Sequence, residues 1–392
     1  MRIADRVIGP DQPPYIIAEL GVNHDGDVGR ALELVDAAAD GGADAIKVQH
    51  FEPGSLLSRD ARLAEYQSGA GETDPRRMLG RLRLGPAQLA QVASRARKRG
   101  LAAIATVFSV ELVREAERIG FDAYKSASPD VINRPLLERL AATGAPLIVS
   151  TGAATLPEVD RAVGWLDGSS DRLALLQCVS SYPTAWDDAG FGGIRAIGRR
   201  HPVPVGYSDH TVGTHAAAHA VAVGACVLEK HLTYDPDAAG PDHRASLDAR
   251  DLPGYRAAAE AGLRLRRIAG TVRAGDGASR IGEIAGYFGL APESLAEIAE
   301  AGWVAGAYAP EKGVLACERD CRITSRQSLV AAHDLPAGRT LEPGDLTIKR
   351  PGTGVEPHEL GRVLGRRLVC PVEADRVLTA ADVGLEPLRE AG

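Results

Sequence analysis

Eight short apolar or β-branched runs, set apart by stretches of helical period, constrain this chain more than any other feature of it. The runs are Tyr15–Ala18, Ala45–Val48, Ala102–Val107, Asp122–Lys125, Pro146–Ser150, Leu173–Gln177, Val203–Tyr207 and Cys226–Glu229. Helix-like stretches lie between them, among them Gly29–Asp40, Pro86–Arg99 with proline in its first turn, Leu156–Leu166 and Gly213–Val223. Strands that alternate with helices pair in parallel through right-handed crossovers, and eight such units in about 250 residues is the size of a closed barrel. The expected fold class is therefore α/β, a (β/α)8 TIM barrel. An open doubly wound sheet would carry a glycine-rich phosphate loop after its first strand. Here the chain continues Glu19-Leu20-Gly21-Val22-Asn23-His24, with no G-x-G-x-x-G.

Polar residues gather at the C-terminal ends of these runs: Glu19; Lys47 and Gln49; Thr106; Lys125 and Ser128; Ser150 and Thr151; Ser180 and Tyr182; Ser208, Asp209 and His210; Glu229, Lys230 and His231. In a barrel those ends form one face, the face on which active sites are built. Lys47 and Gln49 are two residues apart and share a side of their strand, as do Glu229 and His231. Polar loops alone would give a mixture of Ser, Asn, Gly and exposed charges. Here lysines, a glutamate and histidines end strands whose bodies are apolar.

With 45 Lys and Arg against 52 Asp and Glu, the net charge of −7 gives no sign of a nucleic-acid surface. Any anion must be held by local groups. Apolar stretches such as Ala216 to Leu228 are broken by His219 and Gly224 and fall short of a membrane span. The start, Met1-Arg2-Ile3-Ala4-Asp5, has no apolar signal core, so a cytoplasmic protein without a membrane partner is expected. Five scattered cysteines, an odd number, do not make a disulfide framework. Cys317 and Cys321 are four apart, but no second pair follows at zinc spacing, and they read as incidental.

Composition changes near Gly275. The expected division is a barrel over 1–275, a helical linker over 276–325 with helix-like pieces at Arg280–Phe288 and Pro292–Ala301, and a small β-rich module over 326–392. Its β-like runs are Ser328–Ala331, Leu346–Lys349, Arg367–Pro371 and Val377–Leu378. A module this small has no deep pocket of its own and more naturally lends a loop to another surface.

Two lysines ringed by Thr106, Ser128, Ser150 and Ser208 suit an anion with several oxygens, such as a phosphate together with a carboxylate. Lys47 or Lys125 alone could instead form a Schiff base. His210 and His231 end neighbouring strands and could share one divalent ion, with Glu19 on the adjoining first strand. His24, His50, His215, His219 and His243 lack such a pairing, and most of them read as structural or peripheral.

Several motifs resemble those of the sialic acid synthases: Ile17-Ala18-Glu19-Leu20-Gly21-Val22-Asn23-His24, Lys125-Ser126-Ala127-Ser128, Ser150-Thr151-Gly152, Ser208-Asp209-His210-Thr211, Glu229-Lys230-His231, Gly240-Pro241-Asp242-His243 and Lys349-Arg350-Pro351-Gly352-Thr353-Gly354. The resemblance spans nearly the whole chain. It implies a barrel joined to an antifreeze-like (SAF) domain, and condensation of phosphoenolpyruvate with an N-acyl amino-sugar aldehyde to a nine-carbon 2-keto acid and phosphate. The acceptor would be N-acetylmannosamine, a diamino sugar of the legionaminic or pseudaminic type, or an antibiotic-pathway sugar. The resemblance implies that Lys47, Thr106, Lys125, Ser128, Ser150, Ser180 and Ser208 bind phosphoenolpyruvate, and that Gln49, Tyr182 and Arg350 bind the sugar. His210 and His231 would hold a divalent metal ion, Mn²⁺ or Mg²⁺, and Glu19, His231 and Asp242 would be catalytic. Arg350 would reach a neighbouring subunit's pocket in a domain-swapped homodimer. Three positions depart from the pattern: Ser180 where Asn is usual, Thr106 without the usual Pro and Asp, and Ala153 where Met is common. The stretch from Ile281 to Leu315 is also longer than usual, as a spacer or as an altered wall of the acceptor pocket. Competing readings are a Schiff-base pyruvate aldolase and an ice- or glycan-binding protein with an inactive barrel.

Overall fold

The computed structural model describes residues 1–269 and 312–386, so the segments expected at Arg280–Phe288 and Pro292–Ala301 lie outside the described residues. Eight parallel strands form the barrel: β1 (Tyr15–Gly21), β2 (Ala45–His50), β3 (Ala102–Val107), β4 (Ala123–Ser126), β5 (Leu147–Ser150), β6 (Leu173–Cys178), β7 (Val205–Asp209) and β8 (Val227–Thr233). Each pairs with the next, and β8 pairs with both β7 and β1, which closes the sheet. Their starts match the sequence runs within two residues. Six of the eight end further on than the runs, because polar residues that follow them remain in the ladder, while β3 and β5 end where the runs do.

Helices α1 (Val28–Asp40), α2 (Pro86–Lys98), α3 (Val110–Ile119), α4 (Arg134–Ala141), α5 (Leu156–Trp165), α6 (Gly192–Arg200), α7 (Ala216–Ala222) and α8 (Leu252–Ala269) surround the barrel. Local chemistry fixes their starts. Asp27 caps α1 by accepting from Gly29 N and Arg30 N, proline opens α2, and Thr155 with Glu158 forms a capping box on α5.

Two cores follow from the period-two geometry of the strands. Outward residues such as Ile16, Ile46, Ala103 and Leu175 pack under the helices. Inward residues Tyr15, Ile17, Ala45, Ala102, Ile104, Ala123, Ile148, Leu176 and Val227 fill the barrel, plugged at the N-terminal end by Ile3 and Ile8. A hairpin pairing Arg2–Ile3 with Arg6–Val7 carries that plug.

The C-terminal module has one antiparallel pair, β9 (Ser328–Ala331) with β10 (Leu346–Lys349), around its own core of Leu329, Leu341, Val355, Val363, Leu368 and Leu378. The other two β-like runs expected there are not strands. Arg367–Pro371 makes a single bridge, Arg367 with Thr340. Its backbone donors scatter, Leu368 to Arg339 and Val369 to Asp382, so no ladder can form. Val377–Leu378 likewise bridges only Val330, with Val377 N donating to the Asp60 side chain. A short helix, α9 (Arg319–Ser325), leads into the module and docks on the barrel.

Candidate active site

The site is the next inward layer above the apolar filling. Two residues on from Ile17, Ala45, Ile104, Ala123, Ile148, Leu176, Gly206 and Val227 come Glu19, Lys47, Thr106, Lys125, Ser150, Cys178, Ser208 and Glu229. Every barrel strand therefore contributes one polar or thiol side chain to a common level. All eight are buried, so their charges must be matched by one another.

Lys47 Nζ lies 2.5 Å from Glu19 Oε2 and 3.9 Å from Glu229 Oε2, and donates to Thr106 Oγ1 at 2.7 Å. Lys125 Nζ lies 3.4 Å from Glu229 Oε1, which also accepts from Ser208 Oγ at 3.0 Å. Ser128 and Ser150 hydroxyls meet at 3.1 Å. Burial alone would raise the Glu229 carboxyl, but Lys125 and Lys47 outweigh it and hold it below the usual range. Burial pulls the Lys125 ammonium down, with Glu229 opposing. Burial pushes Glu19 up against the pull of Lys47.

Above this level the barrel mouth opens into a cavity. Lys47, Gln49, Thr106, Lys125, Ser128, Ser150, Ser180, Tyr182, Ser208, His210, His231, Asp242 and Arg350 all line it, so the expected site residues converge on one space. Glu19 is the exception: it sits fully buried behind Lys47, with Gln49 Nε2 donating to its Oε1 at 3.1 Å. Its contact with the cavity runs through those two side chains.

His210 and His231 face each other with ring centroids 5.6 Å apart. His210 Nδ1 lies 2.7 Å from the Val179 carbonyl, which can only accept, so that nitrogen carries a proton and Nε2 is the ring atom left for a ligand. His231 Nδ1 is buried with no hydrogen-bond partner and lies 3.8 Å from Asp242 Oδ2. Burial, reinforced by neighbouring cations, holds His231 well below its ordinary value, as a neutral ligand requires. Two imidazoles sharing one ion place their centroids roughly 4.5–6.5 Å apart, so the pair fits a divalent metal with only two protein ligands. Among the described residues no group of three His, Cys, Asp or Glu could hold a metal by itself, Cys317 and Cys321 included. Burial raises the Asp242 carboxyl to about 6.

Tyr182 stacks on Tyr66 at 4.9 Å and lies 4.1 Å from the His210 ring. Tyr66 belongs to the long loop after β2, whose short helices also bring Leu56, Gln67, Met78, Leu79 and Leu82 to the cavity. With Val22, Phe51 and Phe108 they make the outer wall apolar. Little in the sequence flags this loop, because two of its three helices are five residues or shorter.

Arg350 follows β10 and enters the cavity of its own chain. Its backbone N–H donates to the Leu56 carbonyl at 2.9 Å, its carbonyl accepts from Ser58 N at 3.0 Å, and its guanidinium lies 5.5 Å from the Phe108 ring centre. The helix before the module falls within the expected helical linker, but its docking on the barrel was not anticipated. Glu318, Arg322 and Arg326, in or beside that helix, bond to the loop after β5. Of the other histidines, His243 is held by Thr233 Oγ1 at 2.8 Å and Asp25 Oδ1 at 3.2 Å.

Residues 34–260 match the model of the NeuB family, and residues 326–384 match that of the SAF domain. An N,N'-diacetyllegionaminic acid synthase of Legionella pneumophila is 32% identical over 94% of this chain and 94% of its own. An N-acetylneuraminate-9-phosphate synthase of Mus musculus is 28% identical over 94% of this chain and 92% of its own. Among solved structures, an N-acetylneuraminic acid synthetase from Leptospira borgpetersenii superposes with a TM-score of 0.61 at 32% identity, covering 72% of this chain and 94% of that one.

Proposed function

The chain belongs to the NeuB family as an enzyme of the sialic acid synthase type with a C-terminal SAF domain, and from that premise we propose that it condenses phosphoenolpyruvate with the open-chain aldehyde of an N-acyl amino sugar. The products are a nine-carbon 2-keto sugar acid and phosphate. The observation that carries this reading is the eight-strand polar level, where two lysines stand among hydroxyls beneath a pair of facing histidines.

Lys47 and Lys125 hold the carboxylate and phosphate of phosphoenolpyruvate, exchanging part of their contact with Glu19 and Glu229 for the substrate's oxygens. Thr106, Ser128, Ser150, Ser180 and Ser208 donate to the same oxygens. A divalent ion, Mn²⁺ or Mg²⁺, held by His210 and His231 would supply a Lewis acid for the acceptor's carbonyl. C3 of phosphoenolpyruvate attacks the aldehyde carbon, and a proton reaches the former aldehyde oxygen. The electron-poor C2 takes up water, whose proton passes to Asp242, a carboxyl raised to about 6 and so suited to accept near neutral pH. The hemiketal phosphate then breaks its C–O bond, releasing phosphate and leaving the ketone.

Gln49, Tyr182 and Arg350 contact the sugar, with Arg350 at its N-acyl group. The apolar outer wall supports a neutral acylated acceptor over a sugar phosphate. Arg322 and Arg326 also line the cavity, but both are tied to Glu158. N-Acetylmannosamine and a 2,4-diacetamido sugar both meet that description. A Schiff base on Lys47 is disfavoured because this lysine is ion-paired with Glu19 at 2.5 Å, and an ammonium has no lone pair to give, whereas Lys125 is held more loosely, 3.4 Å from Glu229.

The test is phosphate release measured with a panel of 2-acetamido and 2,4-diacetamido hexoses and their 6-phosphates. Release is expected only with phosphoenolpyruvate, an unphosphorylated aldehyde acceptor and a divalent ion together. Release that survives EDTA would remove the metal from the reading, and borohydride trapping of pyruvate on Lys47 or Lys125 would replace condensation with aldolase chemistry.

A further inference from the structure

Glu318 is fully buried, yet it belongs to the arm leading to the C-terminal module and has no place in the chemistry above. Its Oε1 accepts from two backbone donors of the barrel, Ala153 N at 2.6 Å and Ser180 N at 2.8 Å. Its Oε2 accepts from Leu315 N at 2.9 Å, which fixes the carboxylate to its own arm. Ala153 lies in the loop after β5 and Ser180 in the loop after β6. These loops follow Ser150 and Cys178 directly, and Ala153, Ser150 and Ser180 all line the cavity.

The arm grips Ala153 from the other side as well. The Ala153 carbonyl accepts from Arg322 Nη1 at 2.6 Å and from Arg326 Nη2 at 3.1 Å. Both guanidiniums are anchored on Glu158 of α5, at 2.7 to 2.9 Å. Burial alone would raise the Glu158 carboxyl, but Arg326 and Arg322 outweigh it and hold it well below the usual range. Ala153 itself has φ of +49°, a left-handed conformation that a residue with a Cβ keeps only when its surroundings impose it. Next to it, a Cβ on Gly152 would fall 2.3 Å from Ser180 Oγ and 2.8 Å from Ser128 Oγ. The two loops therefore meet with no slack. A small change in their spacing moves the hydroxyls assigned to phosphoenolpyruvate.

We propose that Glu318 is a positioning residue for the phosphoenolpyruvate end of the cavity: by holding Ala153 N and Ser180 N on one oxygen, it sets the spacing of the loops after β5 and β6 and makes that end depend on docking of the arm. This rests on the assignment of Ser128, Ser150 and Ser180 to phosphoenolpyruvate. Arg350 touches the acceptor wall, so the arm and the module serve the two ends of the cavity separately.

Glu318→Gln, Glu318→Asp and Glu318→Ala separate positioning from mere stabilisation. A glutamine carbonyl still accepts both barrel N–H groups, losing only the bond from Leu315 N, which its amide NH2 cannot accept; an aspartate withdraws the oxygen by one bond length, and alanine leaves the donors unpaired. Steady-state phosphate release should show the phosphoenolpyruvate KM raised about tenfold in the Asp and Ala variants, with the acceptor KM within about twofold, and the Gln variant close to wild type. Should Glu318→Ala fail to fold, the Asp and Gln pair carries the comparison. Equal shifts of both KM values, or a Gln variant as impaired as Asp, would overturn the positioning role. A wild-type enzyme that releases no phosphate overturns the functional reading itself, and the same assay detects that separately.

Discussion

Asp130 shows how a single buried carboxyl ties stability to pH. It is 1% exposed in the turn after β4, and burial pushes it up to about 7, with Arg350, Asn133 and Lys125 pulling it back. The unfolded chain releases this proton near pH 4, whereas the folded chain keeps it to about 7. Between those values the folded state binds the extra proton, so the contribution of Asp130 to stability falls as pH rises through that window and stays unfavourable above it. Asp130→Asn, which keeps the shape without the charge, should raise the melting temperature by about 5 °C at pH 8 and change it little at pH 5. A scan showing equal gains at both pH values, or a loss at pH 8, would contradict the assignment.

At the scale of elements, the barrel is a stack of layers, and β7 shows how little room the stack leaves. A Cβ on Gly206 would fall 2.4 Å from the Val227 carbonyl oxygen and 2.5 Å from Leu176 Cδ2. Backbone and a packed leucine cannot both yield, so Gly206→Ala should cost about 1–3 kcal/mol by urea denaturation. An unchanged midpoint would mean that β7 is looser than its ladder. Much of this was legible in advance. Runs such as Ala102–Val107 carry their strand character in their own side chains, and strand parity correctly placed Lys47 with Gln49 and Glu229 with His231 on the inner side. Two things were not legible. The wall made by Tyr66, Gln67 and Met78 depends on how a loop folds over the barrel mouth, and the grip of Glu318 joins positions 318, 153 and 180, whose closeness is purely tertiary. The β-like text at Arg367–Pro371 misled because hydrophobic alternation cannot say whether one partner segment or several will receive the backbone donors.

For the molecule as a whole, the C-terminal module brings Arg350 to the barrel's mouth. The resemblance implies an Arg350 delivered to a neighbour, whereas within this one chain the same residue lines its own cavity through backbone bonds to Leu56 and Ser58. These intrachain contacts predict that His231→Ala and Arg350→Ala proteins, each nearly inactive at low acceptor, stay inactive when unfolded and refolded together. Recovery to about a quarter of wild-type activity, the statistical yield of mixed pairs with one intact site, would instead establish exchange between copies. Either outcome leaves the stacked barrel unchanged, and the stack sets the rules by which such an enzyme can diversify. Because each strand presents its working group two residues beyond an inward apolar one, a single-residue insertion in a strand puts that group out of phase and turns it toward the helices, while a change of length in the loop after β2 leaves every strand in phase and alters only the wall of the cavity. The chemistry is thus written in a reading frame that tolerates spelling changes but no frameshift, and the choice of acceptor is written in the margins, where a change of length leaves the frame intact.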